Sequence, residues 1–249
     1  MIETTPYSKF SSVYDEVMDH VDFQEWANFI IGSWKENKLP DKILDLGCGS
    51  GTLLSHFPSS INTKVGIDSS LQMLETAKKK YPKIQYIQGD IIYFSLKEKF
   101  PLVVSTHDTL NYILQPEKLI THFQTVNKNM ELGGYYFFDL SSEYNLIHNF
   151  HKKQLFYNID SVKLTWRNTY NQKRKVITST LIFSIFKDLK IQKYRETHYQ
   201  KFHPHSIILK ILQKTGFSLV SIGSDYKTWT LKKDCCLINY LAKKIKEIK

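Results

Sequence analysis

At 249 residues the chain has room for one α/β domain with a sizeable core and a modest insertion, or for two small domains. Lys and Arg number 34 against 24 Asp and Glu, a net charge of +10, but Arg167, Arg174 and Arg195 are the only arginines, and lysine lacks the bidentate fork that reads phosphates and bases, so nucleic acid is not favoured as a partner. No apolar run approaches the ~18 residues of a membrane span and the N-terminus has no apolar signal core, so a cytoplasmic protein is expected.

In chain order, residues 1–40 carry Val13, Val17, Val21, Trp26, Phe29 and Ile30 near a 3.6 period and are expected to form a helical cap. Pro40 and Asp41 end it. Ile43 to Leu46 is a short buried strand running into Gly47-Cys48-Gly49-Ser50-Gly51, with a short helix from Thr52 to Phe57. Strands follow at 64–68, 84–88, 102–106 and 134–140, with helices at 69–80 and 117–129 between them. Alternation at these spacings predicts a parallel sheet covered on both faces.

After Leu140 the rhythm changes. The segments 162–170, 176–186 and 191–202 alternate polar and apolar residues across the breaks at 171–173 and 187–188, which predicts antiparallel hairpins able to serve as a lid or a dimer surface. A helix over 205–215 closes at Gly216, and strands at 217–222 and 235–241 complete the sheet, although the second also suits an amphipathic helix. The expected organisation is therefore a cap (1–40), a Rossmann-like domain with a seven-stranded, mostly parallel sheet (41–145 and 203–249), and an inserted antiparallel β region (146–202). Three cysteines, two of them adjacent, make neither a disulfide framework nor a four-ligand zinc site, and no metal is expected.

The sharpest local signal is Asp45-Leu46-Gly47-Cys48-Gly49-Ser50-Gly51, a strand ending in a glycine turn at a helix start, where missing Cβ atoms let backbone approach a ligand and helix-opening amides can face it. Asp68 ends the next strand, where a carboxylate can accept both hydroxyls of an adenosine ribose. Asp90 ends the third, where it can accept from an adenine amine while the Ile91 N–H meets a ring nitrogen. The spacing G-x-G-x-G, with Thr52 where a dinucleotide fingerprint needs a small residue, and the absence of a phosphate-cradling GKS string favour an adenosine ligand without a diphosphate.

These stretches, with Ser69 and Met73 after Asp68, resemble the first three motifs of the class I S-adenosylmethionine (SAM) dependent methyltransferases. Phe10-x-x-x-Tyr14-Asp15, Trp26, Asp108 to Tyr112, Leu132-Gly133-Gly134, Phe138-Asp139 and Glu196-Thr197-His198 extend the resemblance to a small-molecule bacterial subgroup that includes YqeM-like proteins and is similar to sugar N,N-dimethyltransferases. The resemblance implies SAM as cofactor, S-adenosylhomocysteine as product, and a small-molecule acceptor methylated on N or O by a monomer or homodimer. RNA methylation and a non-catalytic SAM-binding module are the alternative readings. It also implies that the glycine turn, Asp45, Gly47, Cys48 and Gly49, meets the methionine part, that Asp68, Ser69 and Met73 lie at the ribose, and that Asp90 and Ile91 meet the adenine.

Methyl transfer is an in-line displacement needing alignment and exclusion of water. Aromatic faces at Tyr14 and Trp26 could meet the sulfonium, and Thr106 and His107 lie at the carboxyl end of the sheet, where doubly wound folds bind ligands. His107 could accept a proton from the acceptor. Tyr14 and Tyr112 are the other catalytic candidates; at Tyr112 the sequence departs from the sugar N-methyltransferases it resembles, which place a histidine base at that register. Glu196 and His198 read as a surface pair.

Overall fold

The computed structural model describes residues 1–187 and 190–248; Asp188, in the expected turn at 187–188, and Lys249, at the end of the lysine tail, lie outside them. The chain opens with strand β1 (Ile2–Thr4), a 3-10 turn over Phe10–Ser12, the single helical turn α1 (Tyr14–Val17) and helix α2 (Phe23–Gly32). Within the expected helical cap of residues 1–40, the stretch before Tyr14 is not α-helical. A helix through residues 7–10 would need their N–H groups, yet those of Tyr7, Lys9 and Phe10 donate to the distant Glu196 carboxylate instead. Helix α2 begins where Asp22 accepts from the Glu25 N–H.

Next come β2 (Lys42–Leu46), α3 (Thr52–His56), β3 (Thr63–Asp68), α4 (Leu71–Lys80), β4 (Gln85–Gln88), β5 (Phe100–Ser105), α5 (Pro116–Lys128) and β6 (Met130–Ser141). Ser70 caps α4 by accepting from Met73 N–H, and Pro116 opens α5 at the position where a missing N–H costs nothing. After a π-helical turn over Asn145–Phe150 come β7 (Gln154–Ile159), β8 (Val162–Asn171), β9 (Val176–Lys187), β10 (Lys190–Lys201), α6 (His205–Lys214), β11 (Phe217–Ser224) and β12 (Leu237–Lys244). The segment that suited either a strand or a helix is thus a strand.

The main sheet runs β11-β12-β6-β5-β2-β3-β4, and only β12 is antiparallel to its neighbours. Adjacent residues face opposite sides, as the period of two demands. Leu44, Val103, Tyr136 and Phe138 pack with α5 and α6 residues such as Phe123 and Leu212, whereas Ile43, Val104 and Phe137 pack with Ala27, Ile30 and Leu54. Both faces are therefore dry, which fits the unbroken apolar runs.

The second sheet, β1-β10-β9-β8-β7, is antiparallel except that β1 runs parallel to β10. One of its faces buries Leu164, Leu181 and Phe183 against Phe10, Val13, Val17 and Met18. The N-terminal segment is consequently held between this sheet and the carboxyl edge of the main sheet. Among the described residues no helix is long and apolar enough to cross a membrane.

Candidate active site

Two adjoining cavities open at that edge. The larger, about 660 Å³, lies against the glycine turn, the ends of β3 and β4 and the start of α4; the smaller, about 180 Å³, lies between the N-terminal segment and the second sheet. Tyr7, Tyr14, His107 and Tyr112 belong to the walls of both.

The glycine turn works by shape. Gly47 has φ +79°, and a Cβ there would sit 2.5 Å from Thr109 Cγ2. A Cβ on Gly49, at φ +54°, would lie 3.1 Å from Met73 Cε. The expected amide donors, however, are engaged inside the protein: Gly47 and Cys48 N–H donate to Ile67 O at 2.7 and 3.1 Å, and Gly49 N–H donates to Asp68 Oδ2 at 2.9 Å. The turn is pinned to β3 and offers a smooth backbone surface in place of free donors.

Asp68 accepts one further backbone bond, from Ser70 N–H at 2.8 Å to Oδ1. Each carboxylate oxygen keeps a lone pair for a ligand hydroxyl. Burial raises its pKa against the pull of these amides. Asp90 accepts from Ile92 N–H through Oδ1, leaving Oδ2 open.

Of the other expected cofactor residues, Tyr14, Gly47, Gly49, Ser69, Met73 and Ile91 line the larger cavity. Trp26, Asp45, Cys48 and Thr106 lie outside its wall. Trp26 is stacked on Tyr226 at 3.9 Å between ring centroids and meets His107 edge-on. Cys48 is buried behind the turn against Gly66. Asp45 is 1% exposed with no partner for Oδ1 among the described residues, and burial pushes its carboxyl up to about 8. Thr106 accepts through its carbonyl from the Thr109 hydroxyl and shapes the turn.

His107 and Asp108 both adopt positive φ, 58° and 53°, a strained conformation for side chains of this kind. Asp139 at the end of β6 holds it: the two N–H groups donate to its carboxylate at 2.7 and 2.6 Å, and the Tyr226 hydroxyl donates to the same group. The His107 ring shares a 3.1 Å hydrogen bond with Tyr14 Oη, and burial pushes its pKa down to about 4. It is neutral at pH 7 but a weaker base than an ordinary histidine. Asp108 accepts from Gln200 at 2.7 Å, and burial with Asp139 nearby raises it to about 8.

The expected surface pair of Glu196 and His198 is corrected: the side chains are 0% and 4% exposed. Glu196 accepts from the N–H groups of Tyr7, Lys9 and Phe10 and from the Ser8 hydroxyl. His198 stands 3.2 Å from Glu196, its other nitrogen 2.9 Å from Tyr112 Oη, and Tyr112 Oη 2.8 Å from Tyr7 Oη. One signal for this cluster lay in the sequence, since Glu196, His198 and Gln200 occupy alternate positions and so share a face of β10.

Asp68, Asp90 and Asp108 line the cavities, and among the described residues neither wall contains Lys or Arg. Such a surface suits a cationic ligand and repels a phosphorylated one. No group of side chains among the described residues could hold a metal ion.

Residues 43–134 match the family described as Methyltransferase domain. The chain is 26% identical to the YqeM protein of Bacillus subtilis (strain 168) over 226 residues, covering 88% of this chain and 90% of that one. It is 35% identical over 92 residues, 37% of this chain and 39% of that one, to a dTDP-3-amino-3,4,6-trideoxy-alpha-D-glucopyranose N,N-dimethyltransferase of Streptomyces venezuelae. Its structure superposes with a TM-score of 0.83 on an S-adenosylmethionine-dependent methyltransferase from Clostridium acetobutylicum ATCC 824, at 26% identity over 95% of this chain and 98% of that one.

Proposed function

We propose that this class I SAM-dependent methyltransferase moves a methyl group onto an amine or hydroxyl of a small, phosphate-free, ring-sized acceptor, with the cofactor in the larger cavity and the acceptor in the smaller. The observation that carries this reading is the wall shared by Tyr7, Tyr14, His107 and Tyr112, which lets the two occupants meet with only side-chain rims between them. When bound, SAM supplies an electrophilic methyl on a sulfonium cation.

The residues fit that cofactor. The backbone at Gly47 and Gly49 leaves a cradle that a Cβ would fill or strain. The open lone pairs of Asp68 suit the ribose hydroxyls, and Asp90 with the Ile91 N–H suits the adenine edge. The orphaned Asp45 carboxyl, raised to about 8 by burial, sits behind the turn, and an ammonium group placed near it would favour its ionised form. Tyr7 and Tyr14 offer aromatic faces to positive charge. Phe10, Trp166 and Leu181 give the smaller cavity an apolar side, and its volume is of the order that accepts a benzene-sized guest.

An amine is preferred to an alcohol because Asp108 and the neighbouring tyrosines supply acceptors, with no Lys or Arg on the described wall to hold an anionic acceptor. The N,N-dimethyltransferase relative named for a dTDP-linked amino sugar supports nitrogen as the atom methylated, while the diphosphate of that substrate finds no Lys or Arg on the described walls here.

Two measurements test the proposal. Titration with S-adenosylhomocysteine should show Asp68→Ala binding about 10- to 100-fold more weakly than wild type, the value of a lost charged hydrogen bond or two; an unchanged affinity overturns the ribose assignment. Transfer of labelled methyl from SAM to a panel of benzylamine, benzyl alcohol and total RNA should label the amine first. Label in RNA alone would favour nucleic-acid methylation, and tight SAM binding with no labelled product would favour a binding module.

A further inference from the structure

Glu196, His198, Tyr112 and Tyr7 form an unbroken hydrogen-bonded line from the interior of β10 to the shared cavity wall, at 3.2, 2.9 and 2.8 Å. We propose that Tyr112, backed by His198 and Glu196, is the proton acceptor of the smaller cavity, receiving the proton that the acceptor sheds on methylation. The inference rests on the reading of that cavity as the acceptor site.

The direction of every bond follows from the inner end. A carboxylate only accepts, so the Glu196 bond requires the proton of neutral His198 to be on Nε2. Nδ1 then accepts from the Tyr112 O–H, and the Tyr112 oxygen accepts from the Tyr7 O–H. The second lone pair of the Tyr112 oxygen remains for the cavity. Glu196 cannot relax away from this arrangement, because four donors from residues 7–10 fix both of its oxygens.

The step balances as follows. The acceptor nitrogen gives its lone pair to the methyl carbon, and the pair of the breaking carbon–sulfur bond goes to sulfur. The nitrogen sheds its proton to the Tyr112 oxygen while the Tyr112 hydroxyl proton moves to His198 Nδ1. The resulting imidazolium faces the Glu196 carboxylate and returns its proton to solvent once product has left. The other imidazoles on the wall have no carboxylate partner of this kind among the described residues: His107 is hydrogen-bonded to Tyr14, and His20 to the Val17 carbonyl.

The groups around His198 agree with this assignment. Glu196 lies on its own strand, Tyr112 on the 3-10 turn after β5, Tyr7 and Phe10 on the N-terminal segment at ring distances of 5.1 and 6.3 Å, and Ser179 opposite it on β9. Gln200, next on the same face, holds Asp108, the second acidic group near Tyr112. Of these groups Glu196 and Tyr112 are in hydrogen-bond contact with His198, and Glu196 is the one bearing a carboxyl group.

The test begins without any acceptor. In full-length protein with 15N-labelled histidine, the His198 signals, assigned by their loss in His198→Gln and their movement in Tyr112→Phe, should show the proton on Nε2. In Glu196→Gln part of the population should move to the Nδ1 tautomer. A wild-type proton on Nδ1 overturns the relay, because that nitrogen could then accept nothing.

The kinetic arm uses SAM and benzylamine. His198→Gln should lower kcat by about 100-fold or more while the S-adenosylhomocysteine affinity stays within twofold. A wild-type kcat and pH profile in that variant overturns the relay. Failure of the wild type to methylate benzylamine counts against the acceptor class, and the tautomer then decides the relay.

Discussion

Burial at the site leaves a pH signature. His107, His122 and His203 are all pushed down to about 4 by desolvation, below the ~6.5 of an exposed histidine. An unfolded chain therefore binds protons that the folded one refuses between pH 6.5 and 4, and these groups cost stability as pH falls, at up to about 3 kcal/mol each. Asp45 and Asp108, raised to about 8, and Asp139, raised to about 6, act in the opposite sense: the folded state holds protons that the unfolded chain has lost, so their contribution disappears as pH rises from about 4 through 8. The two trends offset below 6.5, and above it only the carboxyls remain. Thermal melts of the ligand-free protein should therefore decline from pH 6.5 to 8.5, and saturating SAM, whose cationic groups favour ionised Asp45, should flatten the decline. Melts without slope in that window would refute the carboxyl assignments. Of the individual residues, the positions of Asp68 and Asp90 on the wall of the larger cavity were legible because each lies at or just past a strand end. Trp26 was not, since its stacking partner Tyr226 lies 200 positions away and only folding reveals that its ring face is already taken.

Strands were legible wherever the period of two or an unbroken apolar run was strong, and the helices at 69–80 and 117–129 match α4 and α5 to within a residue or two. The N-terminal segment was misread because its apolar spacing suits a helix while its backbone donors are claimed by a carboxylate almost 190 residues distant. Tertiary hydrogen bonding overrode propensity there. The same separation hid the nature of β10, whose polar face looks wet until the segment that covers it is in position. Deletion of residues 1–9 should consequently do more than remove a tail. It strips β1 from the edge of the second sheet and leaves a buried carboxylate short of three donors, so the melting temperature should fall by 10 °C or more, with weakened S-adenosylhomocysteine binding. A truncated protein that melts and binds as the full chain does would show that the segment carries neither load.

Over the whole molecule, the sequence revealed the class of fold because class follows from the order of elements, and strand–helix alternation admits few right-handed arrangements. It could not reveal where the two sheets meet, and the cavities exist only at that junction. The positive charge reads differently once folded: it stands away from both cavity walls, which is consistent with an outer surface kept soluble by lysine and a chemical centre dominated by acids. Strand β12 is inserted between β11 and β6, and its Lys244 ammonium is buried, donating to Asn127 O and Met130 O at the foot of β6. Until residues 237–244 slide into that slot, β6 and β11 each present a raw edge with unsatisfied amides and carbonyls. Since β11 and β12 are near in sequence and pair with each other, they can dock on β6 as a unit, and whichever border is left uncovered before then is open to any neighbouring strand.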